Sequence, residues 1–175
     1  TFGQTVGLVP NYSFEQHDTC PDNDGQINYS IGWSSYRYTP DYYNSCSSGS
    51  WVSVPNNYFG YTPAATGNAY AGIYSFASDI TNTREYIGCQ LTAPLIIGHI
   101  YNVSFKVNLA LILSDCGNTA TNGLGILFST VTYSETLPLL PPNFAHIYSS
   151  AVITDTANWT SISGSYTADT AFQYL

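Results

Sequence analysis

Methionine is absent from the 175 residues, and lysine and arginine together number three. Nucleic-acid affinity comes mostly from cations that displace counterions from phosphates, so three cations against eleven carboxylates exclude a phosphate-backbone partner. The same shortage argues against docking on anionic lipid. Long apolar runs are missing too: the longest, around Val107 to Leu113, falls far short of the roughly 20 residues that cross a bilayer. Only 8 % of the chain is charged, against about 25 % in ordinary domains. Ser, Thr, Asn, Gly and tyrosine hydroxyls must therefore cover the surface. Solubility rests on the net charge of -8, and self-association follows as an expectation.

Helical periodicity is also scarce, since few stretches put apolar residues at i, i+3, i+4 and i+7. Strand patterns take its place. Segments 6–9, 70–76, 84–91, 123–129, 145–153 and 159–166 read as strands, and 100–113 is the strongest. There Tyr101, Val103, Phe105, Val107, Leu109 and Leu111 share one face, with Asn102, Ser104, Lys106 and Asn108 on the other. Strands recurring between Gly, Pro, Asn and Ser turns predict an all-β fold, an antiparallel jelly-roll β-sandwich in one domain over residues 1–175. Residues 17–61 break the pattern. They carry turn residues and aromatics with little alternation, so a long structured excursion is expected there. Residues 134–143, with Pro138, Pro141 and Pro142, read as an extended connection.

Four cysteines, with no CxxC spacing, suit an oxidising compartment and place the chain outside the cell. Cys20 with Cys46 and Cys89 with Cys116 is the favoured pairing, with the other two connectivities open. The start at Thr1-Phe2-Gly3-Gln4 reads as a mature end.

Aromatics are what the chain has in excess, with 16 tyrosines. Tyr29, Trp33, Tyr36, Tyr38, Tyr42, Tyr43, Trp51, Tyr58, Phe59 and Tyr61 all fall inside the 17–61 segment. Aromatic faces suit the apolar face of a pyranose, and protein interfaces favour the same side chains. Tyr36, Tyr38, Tyr42 and Tyr43 are expected to be exposed and, with Trp51, form the candidate ligand-binding set. The competing reading packs half of these rings onto the sandwich, with Trp33 and Trp51 as anchors.

Catalysis finds little support. His17, His99 and His146 stand apart in sequence, no GxSxG elbow occurs, and Glu15, Asp41, Asp79, Glu85, Asp115 and Glu135 follow no motif. Asp22-Asn23-Asp24-Gly25 lacks the remainder of a calcium loop and reads as a turn.

Asn11-Tyr12-Ser13-Phe14-Glu15 after Gly7-Leu8-Val9-Pro10 resembles the opening of carbohydrate-binding-module-like, galactose-binding-fold sandwiches. The ordered set Cys20-Pro21, Gly32-Trp33, Thr39-Pro40-Asp41-Tyr42-Tyr43-Asn44-Ser45-Cys46, Val54-Pro55-Asn56-Asn57, Gly67-Asn68-Ala69-Tyr70-Ala71-Gly72 and Arg84-Glu85-Tyr86-Ile87 is similar to a domain of secreted Bacteroidota proteins. That domain precedes OmpA-like or type IX secretion sorting domains. The resemblance implies a cell-surface binding module for a glycan or other surface polymer. The family's closing strands have no counterpart after Phe172-Gln173-Tyr174-Leu175, which leaves two alternatives open: the chain is part of a longer protein, or the missing strand comes from another copy by strand addition, as in a structural subunit of a surface layer or filament. The resemblance further implies a structural calcium at Glu15 with an Asn68 oxygen, against the plainer reading that Glu15 accepts hydrogen bonds from a turn. Asp155-Thr156-Ala157 and Asp169-Thr170-Ala171 resemble Bacteroidota O-glycosylation sites, at Thr156 and Thr170.

Overall fold

The computed structural model describes residues 7–76, 83–111, 119–133 and 144–175. Among them are ten strands and a single 3-10 turn, Ile27–Tyr29. The strands are β1 Trp33–Arg37, β2 Asp41–Asn44, β3 Asn56–Asn57, β4 Gly60–Tyr61, β5 Ala69–Gly72, β6 Tyr86–Cys89, β7 Ile100–Val107, β8 Gly125–Ile126, β9 Ile147–Tyr148 and β10 Thr160–Thr167. The chain is nearly all-β, as its period-two pattern requires. Every ladder among the described residues is antiparallel and pairs two strands: β1 with β6, β2 with β5, β3 with β4, β7 with β10, and β8 with β9. No described helix is long and apolar enough to cross a membrane.

The longest ladder joins β7 to β10 in unbroken register from Ile100↔Thr167 to Val107↔Thr160. Along β7 exposure alternates as expected, Asn102, Ser104 and Lys106 outward and Tyr101, Val103 and Phe105 partly covered. The strand stops at Val107, short of the expected 113: Leu109 donates its backbone N–H to Asp155 instead, and residues beyond 111 lie outside the described part. The 70–76 strand is likewise cut at Gly72. The Tyr74 carbonyl accepts the Glu85 backbone N–H, and the Glu85 side chain accepts the Tyr74 N–H at 2.9 Å, so that residue turns away from the ladder. The expected opening strand is not formed in its described part: Leu8 makes a lone backbone contact to Thr92, and Pro10 has no N–H to extend it.

Two apolar clusters fill the interior. One gathers Ile27, Trp33, Tyr42, Ala69 and Cys89; the other gathers Leu91, Leu95, Phe128 and Ala168; Val9 and Leu175 pack against both. The 17–61 segment supplies three of the five buried residues of the first cluster, so it contributes to the core. The last residues close the join. Leu175 and Cys89 exchange both backbone bonds, Leu91 donates to Gln173, and Ser129 bonds Tyr174 in both directions. The 134–143 connection lies outside the described residues.

Candidate functional site

The segment from Asn11 to Glu15 ties the first cluster together. Asn11, in the left-handed region at φ 42°, donates through Nδ2 to the carbonyls of Gln16 (2.8 Å) and Ile31 (2.9 Å), and its carbonyl accepts the Trp33 indole N–H at 3.1 Å. Phe14 lies against Trp33 with ring centroids 4.6 Å apart. Its carbonyl accepts the Tyr42 hydroxyl at 2.8 Å, and that hydroxyl accepts Asn44 Nδ2 at 2.7 Å.

Three tyrosines of the expected exposed set are buried: Tyr36 at 7 %, Tyr42 at 0 % and Tyr43 at 3 % exposure. They are not the exposed set the sequence led one to expect, and for Tyr36 and Tyr43 the reason lies in glycines on the neighbouring strands. Tyr36 covers Gly88 of β6 and Tyr43 covers Gly72 of β5, where any Cβ would overlap the ring. Burial raises the Tyr36 phenol to about 12, helped by Cys89 and Tyr174, and drives Tyr43 higher still, with Asp41 adding to it. Neither ionises in ordinary solution. Tyr38 stands in the left-handed region at φ 57°, with the Arg37 guanidinium 4.9 Å from its ring centre.

Trp51 is the most exposed member of the set, at 49 %, while Tyr38 is partly buried. It stacks on Tyr58, itself 46 % exposed, with centroids 4.5 Å apart and planes 17° from parallel. Tyr58 meets Phe59 edge-on, Phe59 meets Tyr43, Tyr43 stacks on Tyr70, and Tyr70 abuts Trp159. The outer pair is thus braced by rings running into the interior. Beside it lies a recess of about 90 Å³ lined by Asp24, Asp41, Tyr43, Trp51, Tyr58 and Tyr74, among others. Enclosed small-molecule sites measure roughly 300–1,000 Å³, so this recess by itself is too small to enclose such a ligand.

The two carboxylates of the recess differ. Asp41 is buried; its oxygens accept the Gly25 N–H (2.7 Å) and the Tyr43 hydroxyl (2.9 Å), and desolvation raises its pKa although those two bonds oppose the shift. It holds the wall. Asp24 is exposed at the rim, in a turn where Gln26 accepts the N–H groups of Asp22 and Asn23, as the turn reading of this stretch expects. Glu85 is a second buried carboxylate, accepting from Thr39 N–H, Thr39 hydroxyl and Tyr74 N–H, and burial raises its pKa as well.

Glu15 does not fit a calcium cage. Its carboxylate accepts the N–H groups of Asn68 (2.9 and 3.1 Å) and Ala69 (3.1 Å), while the Asn68 carbonyl accepts the N–H of Ser45. Calcium needs six to eight oxygens facing it, and here N–H donors converge on the oxygens instead. The turn reading of Glu15 describes the geometry. Thr156 and Thr170 lie partly buried in the turns before and after β10, where Asp155 accepts the N–H groups of Ala157 and Asn158, and Asp169 accepts the Tyr166 hydroxyl.

Cys20 and Cys46 form the expected disulfide. Cys89 is a free, buried thiol pushed up to about 12 by desolvation; its expected partner Cys116, like Asp79, Asp115 and Glu135, lies outside the described residues. One grouping went unread in the sequence. His17 places Nε2 3.7 Å from Cys20 Sγ and 3.6 Å from Cys46 Sγ. The signal was its position three residues before Cys20, which means little until Cys46 is folded alongside.

The chain matches no protein-family model, no curated protein and no solved structure. Among the described residues the chain is a nearly all-β protein stapled by the Cys20–Cys46 disulfide, carrying an aromatic shelf above a small acidic recess.

Proposed function

We propose that this protein is a non-catalytic binding module of the cell surface or secreted medium, built on a jelly-roll-type sandwich, and that it recognises a glycan on the Trp51–Tyr58 shelf. The observation that carries the reading is the stacked, half-exposed pair beside the recess. Its upper face offers the flat apolar area that a pyranose ring covers, and Asp24 stands at the rim as an acceptor for sugar hydroxyls. The pair is braced from below, so little ordering entropy is lost on binding. The buried carboxylates Asp41 and Glu85 are engaged by donors on the protein, which suits holding the shelf better than acid–base chemistry.

Titration with plant, algal and bacterial polysaccharides, followed by tryptophan fluorescence and calorimetry, tests the reading. A binding polysaccharide should lose about tenfold or more in affinity with Trp51→Ala, the equivalent of roughly 1.4 kcal/mol or more. Blank titrations, or equal affinity in the variant, would remove it.

A second reading, a structural subunit of a surface layer or filament, draws on a separate feature. Ile96 and Ile97, just before β7, and Ile100, its first residue, are all exposed, in a chain with few charges to keep copies apart. Particles that lengthen with protein concentration without polysaccharide would favour it.

A further inference from the structure

The triangle of His17, Cys20 and Cys46 has the makings of a metal site that the disulfide keeps closed. All three ligand atoms lie within 4.8 Å of one another. The imidazole is already oriented for the task. Its Nδ1 sits 3.2 Å from the Glu15 carbonyl, which only accepts, so Nδ1 carries the proton. Asn44 Nδ2 also approaches Nδ1, but at 3.5 Å, the far limit of a hydrogen bond, so the shorter Glu15 contact sets the tautomer. Nε2 then turns a lone pair toward both sulfurs. A ring N–H held by a backbone carbonyl, with the opposite nitrogen bare, is the arrangement that outer contacts impose on metal-binding histidines.

The distances agree. With Zn–S near 2.3 Å and Zn–N near 2.0–2.1 Å, a tetrahedral ion separates sulfur from nitrogen by roughly 3.5 Å. The observed 3.6 and 3.7 Å are that edge. Only the sulfur–sulfur edge is too short while the bond persists, and the two Cα atoms, 5.7 Å apart, leave room for side-chain rotation to open it. Both half-cystines are solvent-exposed, so a reductant and an ion can reach them.

We propose that Cys20, Cys46 and His17 form a redox-gated site for a soft-to-borderline d10 cation such as Zn2+, closed by the disulfide and opened by a thiol reductant. In the opening step two thiols R–SH supply two electrons and two protons, giving two cysteine thiols and R–S–S–R. In the binding step Zn2+ takes the two thiolates and the Nε2 lone pair, two protons leave to solvent, and water fills the fourth position.

The full chain reduced with dithiothreitol and desalted without oxygen is titrated with Co2+, then Zn2+, alongside the oxidised chain. The reduced protein should bind one Co2+ with a sulfur-to-cobalt charge-transfer band, exchange it for Zn2+, and release two protons per Zn2+. The oxidised protein should show no band. Loss of an outer contact to a metal ligand costs about 10–100-fold in affinity, so His17→Phe, which removes a ligand itself, should cost at least roughly tenfold. Because that variant retains all four cysteines, it separates the site from Cys89 and Cys116. Equal Co2+ affinity in His17→Phe and wild type, or a reduced chain that binds none, would overturn the proposal. Should reduction unfold the chain, circular dichroism after Zn2+ addition decides: recovery of the β spectrum in wild type and not in His17→Phe supports the site, and recovery in neither or in both sinks it.

Discussion

Glu15 offers the sharpest test of how the two halves of the first cluster are joined. Its carboxylate receives two backbone N–H groups, those of Asn68 and Ala69, from a loop more than fifty residues away. Hydrogen bonds to a charged group contribute roughly 1.5–3 kcal/mol each, and partial exposure of the Asn68 side of the clamp pulls its share toward the lower end. Glu15→Ala is therefore expected to cost about 2–4 kcal/mol. At about 2–4 °C per kcal/mol for a domain of this size, the thermal midpoint should fall on the order of 5–15 °C. Glu15→Gln keeps one acceptor oxygen and should cost less than half as much. Gly67 supplies an internal check, since it sits at φ +64° with its missing Cβ directed at the Glu15 carboxylate. Gly67→Ala should be less damaging in the Glu15→Ala background than in wild type, the remainder being the roughly 1–2 kcal/mol of left-handed strain. Melting by differential scanning fluorimetry and calorimetry, with and without EDTA and added Ca2+, reads all of this. A wild-type midpoint that rises with Ca2+, or a Glu15→Ala midpoint within 1 °C of wild type, would refute the clamp.

Two further outcomes follow from buried polar groups. Tyr42→Phe leaves the Phe14 carbonyl and Asn44 Nδ2 without the hydroxyl that joins them, and should lower stability by about 2–4 kcal/mol in urea melts. His146 accepts the Phe128 N–H through Nδ1 among Phe128, Tyr166 and Phe172; burial lowers its pKa below the ordinary 6.5, and Asp169 partly offsets this. The unfolded chain then takes up this proton first, so His146's contribution is full above pH 6.5 and declines as pH falls from there to the folded value. Asp41 and Glu85, raised in the fold, act with the opposite sign at lower pH, so the test is the difference between wild type and His146→Asn: it should shrink below pH 6.5, and a pH-independent difference would contradict the assignment.

Much of the secondary structure could be read without coordinates. The alternation in β7 is local chemistry, and it places Asn102, Ser104 and Lys106 outside as written. The tyrosines could not be sorted in the same way. Tyr36 and Tyr43 are hidden because their rings lie over Gly88 and Gly72 of the paired strands, and pairing with those strands is a non-local event that no spacing within residues 17–61 encodes. Trp51, read as an anchor as much as a ligand contact, faces solvent because Tyr58 stacks on it while Val52 takes the buried place.

Composition and period two thus determined the class by themselves: an acidic, cation-poor, β-rich chain with cysteines to oxidise, because side-chain direction along a strand and the charge of a surface are properties of adjacent residues. Tertiary structure alone decided which aromatics stay wet, that Glu15 grips amides, and that His17 meets the two sulfurs. Each of those depends on residues twenty or more positions apart being brought within bonding distance, and burial in a shared core is the force that does so.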